Sequence, residues 1–354
     1  MKILVIQQKM IGDVLASSIL CNNLHNTYPN AQIDYLVYKE TTPVLEGNSS
    51  IDNIILFEEK HRKSKKEFLN LALKIRATKY DIVIDAYLKL ESTLITFISG
   101  AKKTISYKKN FFSFLYTDKV YFATSPKTQM GLAIERRLSL LNPLDLNTLI
   151  NPYPKLFITA EENQKASNLF DKHLVNKQRK TVMISLLGSE KSKTYPLDYM
   201  TTIIDLIAKN NDINIIFNYF PKQINDAQKV FDACSDSTKE KIYFDLLGDD
   251  LRTFITLMNQ CDLIIGNDGG AINMAKALNK PTYTIFSPWI DKESWSTFED
   301  GTVNKAIHLK DFYPDLLTNI SRKERKKNYT HYYSLLKPSL IFESLTNFLN
   351  IHLH

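Results

Sequence analysis

Short runs of β-branched and aliphatic residues alternate along this chain with stretches in which apolar residues recur at three- and four-residue spacing. That alternation predicts parallel strands joined by crossover helices, and it occurs twice. The first set of strands is expected at 3–6, 33–38, 53–57, 81–85 and 104–107, with helices near 13–26, 65–77, 92–98 and 132–141. The second set is expected at 181–186, 213–217, 241–245, 262–265 and 282–286, with helices near 197–209, 223–234, 251–260 and 270–278. Between the sets, Asn151-Pro152-Tyr153-Pro154 breaks the pattern, which places the domain boundary near 165/166. A last helix, 338–354, opens on Pro338 and carries Ile341, Leu345, Phe348 and Leu349 on one face; it is expected to pack on the first domain. The fold class is therefore α/β, with two doubly wound Rossmann-like domains, 1–165 and 166–337.

Composition narrows the partners. The chain has 354 residues, 44% hydrophobic and 23% charged, with 10 Gly and 12 Pro, which excludes collagenous and low-complexity classes. Lys and Arg exceed Asp and Glu by 7, favouring anionic partners without requiring nucleic acid. Cys21, Cys234 and Cys261 suggest neither a disulfide framework nor a metal site, and a reducing cytosol fits. The opening apolar run is too short for a signal-peptide core, and no segment approaches the ~20 apolar residues of a membrane span. A cytoplasmic location is expected, with any membrane contact peripheral.

Three strand-to-helix turns carry candidate chemistry. The first, Gln7 to Leu15, lacks the Gly-x-Gly-x-x-Gly of dinucleotide enzymes but sets Asp13 at the end of a strand and the start of a helix. Asp13 can be read as a helix cap or as a general base. The second, Gly266-Asn267-Asp268-Gly269-Gly270, leads into a helix whose free amides suit a phosphate, although an ordinary turn with an Asp cap would look alike. In the third, Ser185 to Pro196, a small-residue loop carries Ser189 and ends near Lys193, which could neutralise a diphosphate; a solvated loop is the plainer reading.

Gly12-Asp13-Val14-Leu15, Lys193-Thr194-Tyr195-Pro196 and Gly266-Asn267-Asp268-Gly269-Gly270, in this order, resemble glycosyltransferase family 9, the lipopolysaccharide heptosyltransferases. Ser99-Gly100-Ala101, Ala133-Ile134-Glu135-Arg136 and Leu247-Gly248 are weaker echoes, and the likeness spans roughly residues 1–290. The resemblance implies a GT-B architecture, two Rossmann-like domains facing across a cleft, the first holding the acceptor and the second the nucleotide-sugar. It implies an inverting, metal-independent transferase without a cofactor, moving a heptose or related sugar from an ADP-linked or other nucleotide-diphosphate donor to a lipopolysaccharide core or other phosphorylated cell-envelope glycolipid. Asp13 then matches the base, while Lys193, Asp268, Gly269, Gly270, Ser189 and Asn273 fall in the donor site. Gly12 falls beside the acceptor, and Arg62, Lys63, Lys65 and Lys66 match a basic loop that meets the acceptor's phosphates; a solvated helix start is the alternative there.

The chain departs from the family in having Gly269 and Asn273 where Thr and His are usual, and in lacking a glycine pair around Phe217-Asn218-Tyr219-Phe220-Pro221. The donor sugar is therefore left open. A second basic run, 322–327, precedes Tyr329, Tyr332 and Tyr333 and reads as a solvated linker or as a peripheral contact with the inner membrane. No nucleic-acid recognition fold accompanies it. The competing readings are a catalytically silent GT-B glycan-binding protein and a GT-B sugar-nucleotide epimerase.

Overall fold

The computed structural model describes residues 1–109, 111–144, 146–209 and 211–354. It divides into two units, Met1–Phe157 and Ile158–His354. The division falls a little before the expected 165/166 boundary, because the helix Ala160–Lys172 belongs wholly to the second unit. Its Glu162 holds Arg252 at 2.5 Å, and its Asn163 accepts from Asn259 at 3.0 Å.

The first unit is built on six strands: β1 (Lys2–Ile6), β2 (Gln32–Val37), β3 (Asn53–Leu56), β4 (Ile82–Asp85), β5 (Lys103–Lys108) and β6 (Asp118–Tyr121). All pair in parallel in the order β3-β2-β1-β4-β5-β6. Ile3, Leu4, Val5 and Ile6 are fully buried, as a central parallel strand covered on both faces requires. β6 escapes the hydrophobic pattern because it is a short edge strand of which only Val120 is buried.

The second unit has five parallel strands: β7 (Lys180–Ser185), β8 (Ile213–Asn218), β9 (Leu263–Asn267), β10 (Thr282–Ile285) and β11 (Asn304–Ile307), in the order β11-β10-β9-β7-β8. The strand expected at 241–245 does not form. Its residues make one bridge, Ile215 to Ile242, and then turn, with the Leu246 amide on the Tyr243 carbonyl at 3.2 Å. Phe244 instead sets its ring 5.3–6.2 Å from those of Phe217, Tyr219 and Phe231, so burial of one aromatic replaces a ladder. The fifth strand is β11, drawn from a segment whose Asn304 and Lys305 mask it in sequence.

Helices fill the crossovers: α1 (Ile11–Thr27), α2 (Lys65–Thr78), α3 (Leu90–Ser99) and α4 (Leu132–Ser139) in the first unit. The second has α5 (Ala160–Lys172), α6 (Leu197–Lys209), α7 (Ile224–Ala233), α8 (Leu251–Gln260), α9 (Gly270–Ala277) and α10 (Pro338–Leu353). The terminal helix α10 corrects the expectation that it returns to the first domain. Its Ile341, Leu345, Phe348 and Leu349 complete the second unit's own core with Val182, Ile203, Ile207 and Tyr283. Phe348 lies 5.4 Å from the Tyr283 ring, and the Tyr283 hydroxyl donates to Ser344 at 3.1 Å. Phe348→Ala is expected to lower the stability of the second unit by about 3–5 kcal/mol, the cost of an emptied aromatic site, while the first unit's transition in urea stays in place. A single unchanged unfolding curve would contradict this.

Candidate functional site

In a doubly wound sheet the strand order reverses at one point, and the loops at the carboxyl ends of the strands flanking it leave an open crevice. In the first sheet that point lies between β1 and β4, and in the second between β7 and β9. Asp13 follows β1, Lys193 follows β7, and Asp268 follows β9. The three turns read from sequence thus stand at the two switch points, two of them at the same one.

Asp13 is the third residue of α1. Its Oδ2 accepts the Met10 amide at 3.3 Å, so the capping role is realised. Its Oδ1 accepts from the Arg137 guanidinium at 2.6 Å. Arg137 comes from α4 and also donates to Ser17 Oγ and to the Ala133 carbonyl, each at 2.7 Å. With Arg137 9% and Asp13 23% exposed, this is a largely dehydrated pair and holds the carboxylate in one rotamer. Sequence reading missed Arg137, and the adjacent Ala133 to Arg136 echo was the available signal. Gly12 lies half-buried in the same first turn of α1.

Next to β1, the end of β4 carries Asp85, fully buried and bound by the Tyr116 hydroxyl at 2.6 Å and the Tyr87 and Leu88 amides at 3.0 and 2.9 Å. Burial pushes its pKa up, and these donors pull against that rise. Through Tyr116 it ties the loop after β4 to the segment that leads into β6, and it is consumed by structure.

The basic run 60–66 is helical. A short helix, Glu59–Lys63, precedes α2, whose cap Ser64 accepts the Glu67 amide. Arg62, Lys63, Lys65 and Lys66 are exposed. Lys63 pairs with Glu59 at 2.7 Å, and Arg62 acts on Tyr38, whose ring also lies under Lys9 at 5.6 Å. One aromatic thus joins the run to the turn ahead of Asp13.

In the second unit the two loops of the switch point are stitched by Asn267, which is fully buried. Its Nδ2 donates to the Ser185 and Leu186 carbonyls at 3.1 and 2.8 Å, and its Oδ1 accepts the Tyr195 amide at 2.7 Å. The approach demands glycine at 266: φ is +134°, and a Cβ would stand 2.4 Å from the Ser185 carbonyl oxygen. Gly188 is required similarly, since a Cβ there would meet the Lys193 carbonyl oxygen at 2.4 Å. Lys193 ends a single tight turn and sits 5.7 Å from the Trp289 ring centroid. Ser189 is exposed on the same loop.

Asp268 precedes the N-terminus of α9. Burial pushes its carboxyl up to about 6, against the opposing pull of Lys193, Lys276 and the Gly269 amide. Lys276, itself brought down to about 8 by burial and held back by Asp268, donates to the Thr297 carbonyl at 2.6 Å. Beside Gly269 and Gly270 the space is open, with no atom within 4 Å of where a Cβ would stand. Asn273 folds back, its Nδ2 on the Gly269 carbonyl at 3.3 Å. The structure therefore brings Lys193, Asp268 and the amides of α9 to one edge.

The run 322–327 is not an open linker: it is a short helix fixed to this unit by Arg325 on Asp291 at 2.9 Å and Lys326 on Glu190 at 2.7 Å, with Arg322, Lys323 and Lys327 exposed. Among the described residues no three His, Cys, Asp or Glu side chains converge as metal ligands, and no helix is long and apolar enough to cross a membrane.

Two doubly wound units, each with polar loops gathered at its switch point, make a GT-B fold. Residues 68–302 match the model of glycosyltransferase family 9 (heptosyltransferase), and the chain belongs to that family. It is 24% identical over 294 residues to lipopolysaccharide heptosyltransferase 1 of Campylobacter coli, a match covering 81% of this chain and 84% of that one. A family 9 glycosyl transferase from Veillonella parvula shares its fold at a TM-score of 0.79 and 18% identity, covering 98% and 97% of the two chains. The E. coli ADP-heptose lps heptosyltransferase II does so at 0.69 and 17%, covering 94% and 99%.

Asn267→Leu keeps the branched shape of the side chain, removes its polar atoms and orphans the Tyr195 amide and the Leu186 carbonyl. It is expected to destabilise the second unit by about 2–4 kcal/mol, read as a lower urea midpoint of that unit. An unmoved midpoint would show that the stitch is dispensable.

Proposed function

We propose that the protein transfers a heptose from an ADP-linked donor to the core of a lipopolysaccharide or a related phosphorylated envelope glycolipid, with inversion, with Asp13 as general base and with no metal or cofactor. The observation that carries this reading is the division of chemistry between the switch points. The first unit presents an arginine-fixed carboxylate. The second presents a cation and a glycine-opened helix N-terminus. The ADP-heptose and lipopolysaccharide in the names of relatives support the donor and the acceptor.

A sugar hydroxyl is a weak nucleophile until its proton leaves. Oδ1 of Asp13 is engaged by Arg137, and Oδ2 has only one long bond, so a lone pair remains for the acceptor hydroxyl. The acceptor oxygen then bonds to the anomeric carbon from the face opposite the diphosphate. The bond from that carbon to the phosphate oxygen breaks, its electron pair goes to the diphosphate, and the proton goes to Asp13. Lys193 and the amides of α9 answer the charge that appears on the diphosphate. In this reading the exposed Arg62, Lys63, Lys65 and Lys66 meet phosphates of the acceptor, Ser189 lies along the donor, and the enzyme works in the cytoplasm against the inner leaflet. With Gly269 offering no side chain and Asn273 turned back on its helix, the donor sugar is held by fewer side chains than in the family pattern.

The direct test is transfer from ADP-heptose to a heptose-free core glycolipid in the presence of EDTA. Asp13→Asn is expected to lower kcat by about 100-fold or more with donor binding retained. Undiminished turnover would remove Asp13 from the reaction, and no transfer by the wild type from any of the ADP-, GDP-, UDP- or CMP-linked sugars would favour a silent glycan binder.

A second expectation concerns pH. An ADP-sugar's diphosphate does not titrate near neutrality, and its negative charge beside Asp268 favours the protonated carboxyl. Affinity should therefore rise as pH falls from neutrality toward about 6 and level off below it, where the free protein's Asp268 already holds its proton. Calorimetric titration between pH 5 and 7.5 is expected to show this slope in the wild type and to lose it in Asp268→Asn; equal slopes would disprove the link.

A further inference from the structure

Trp289, just past the end of β10, is 5% exposed and donates from its indole Nε1 to the Ser192 carbonyl at 2.8 Å. The same carbonyl accepts Ser287 Oγ at 2.7 Å. The residue ahead of Lys193 is thereby pinned to the loop after β10. Three cations surround this one indole. Lys193 Nζ lies 5.7 Å from the ring centroid, the Arg322 guanidinium carbon 4.9 Å and Lys326 Nζ 4.6 Å, all within the range of cation–π attraction.

The cluster is short of negative charge. Lys326 is answered by Glu190 at 2.7 Å, and Arg325 in the same helix by Asp291. Among the described residues, neither Lys193 nor Arg322 has a carboxylate within ion-pair distance. Asp268 and Glu190 both act on Lys193 from beyond that distance. Holding like charges around a single ring is costly unless something anionic completes the set, and the attraction to the indole offsets only part of that cost. Arg322 is exposed, so its donors stay open to a ligand, and its helix is held in place by its neighbours.

We infer that Arg322, which shares the Trp289 ring with Lys193, is a second cationic contact for the diphosphate of the nucleotide donor. The inference rests on the donor reading given above. It adds a planar guanidinium, which grips two phosphate oxygens at once where the ammonium of Lys193 acts as a point charge. It also gives the basic helix 322–327 a role on the donor side: Arg325 and Lys326 dock it, and Arg322 remains for the ligand. As the anomeric bond breaks, the pair would share the charge that accumulates on the departing diphosphate.

The test is calorimetric titration of the full-length wild type, Arg322→Ala, Arg322→Lys and Lys323→Ala with ADP and with inorganic pyrophosphate, at two salt concentrations. Arg322→Ala is expected to weaken both ligands by about tenfold or more and to flatten the salt dependence. Arg322→Lys should recover part of the loss, and Lys323→Ala, an exposed neighbour on the same helix, should match the wild type. Wild-type binding of ADP with unchanged affinity in Arg322→Ala would overturn this inference and leave the donor reading standing. Failure of the wild type to bind either ligand would overturn both. A loss in Arg322→Ala accompanied by a lowered Tm, with no recovery in Arg322→Lys, would mark Arg322 as packing on Trp289 alone and also overturn the inference.

Discussion

The second unit depends on one buried amide. Asn267 accepts the Tyr195 amide and donates to the carbonyls that close β7, so the loop carrying Lys193 and the turn carrying Asp268 are two ends of one hydrogen-bonded object. Ser185 Oγ, which donates to the Asn267 carbonyl at 2.9 Å, and the bonds from Ser287 and Trp289 to the Ser192 carbonyl add to this link where both loops leave the sheet. The two demands for glycine, at 266 and 188, follow from the same constraint: the backbone must come closer there than a Cβ allows. The edge that carries Lys193 and Asp268 is thus set by packing of main chain against main chain, with side chains placed as a consequence.

The first unit solves the analogous problem differently. Its carboxylate is held by an ion pair reaching across from α4, and Arg137 is itself fixed by Ser17 and by its own helix. A dehydrated pair of this kind contributes little net stability but penalises every arrangement in which one partner is left alone. It therefore serves position more than stability. Asp85, which looks equally apt on the neighbouring strand, is fully buried and bound by a tyrosine hydroxyl and two amides.

The sequence made Asp13, Lys193 and Asp268 legible because each follows a strand with a strong apolar pattern, and a strand end is where a doubly wound fold exposes its ligands. Arg137 and Asn267 were not, since their roles are defined by partners 124 and 72 residues away. β6 and β11 were hidden by the low hydrophobicity of edge strands, and the stretch at 241–245 misled because an aromatic run satisfies a strand pattern and an aromatic cluster alike. The fate of α10 turned on tertiary information: its apolar face was plain in sequence, but which core it completes was not.

That choice of core has a consequence for how the molecule comes into being. The hydrophobic cluster of the second unit runs from Val182 to Leu349, and Tyr195, whose amide engages Asn267, also donates its hydroxyl to the Leu336 carbonyl at 2.6 Å. The first unit holds no residue beyond Phe157 and can complete its core while synthesis continues. The second cannot close until Leu349 is free to reach it. During translation the unit holding Asp13 therefore precedes the unit holding Lys193 and Asp268, and a ribosome-bound chain is a folded first unit trailing an unfinished second one.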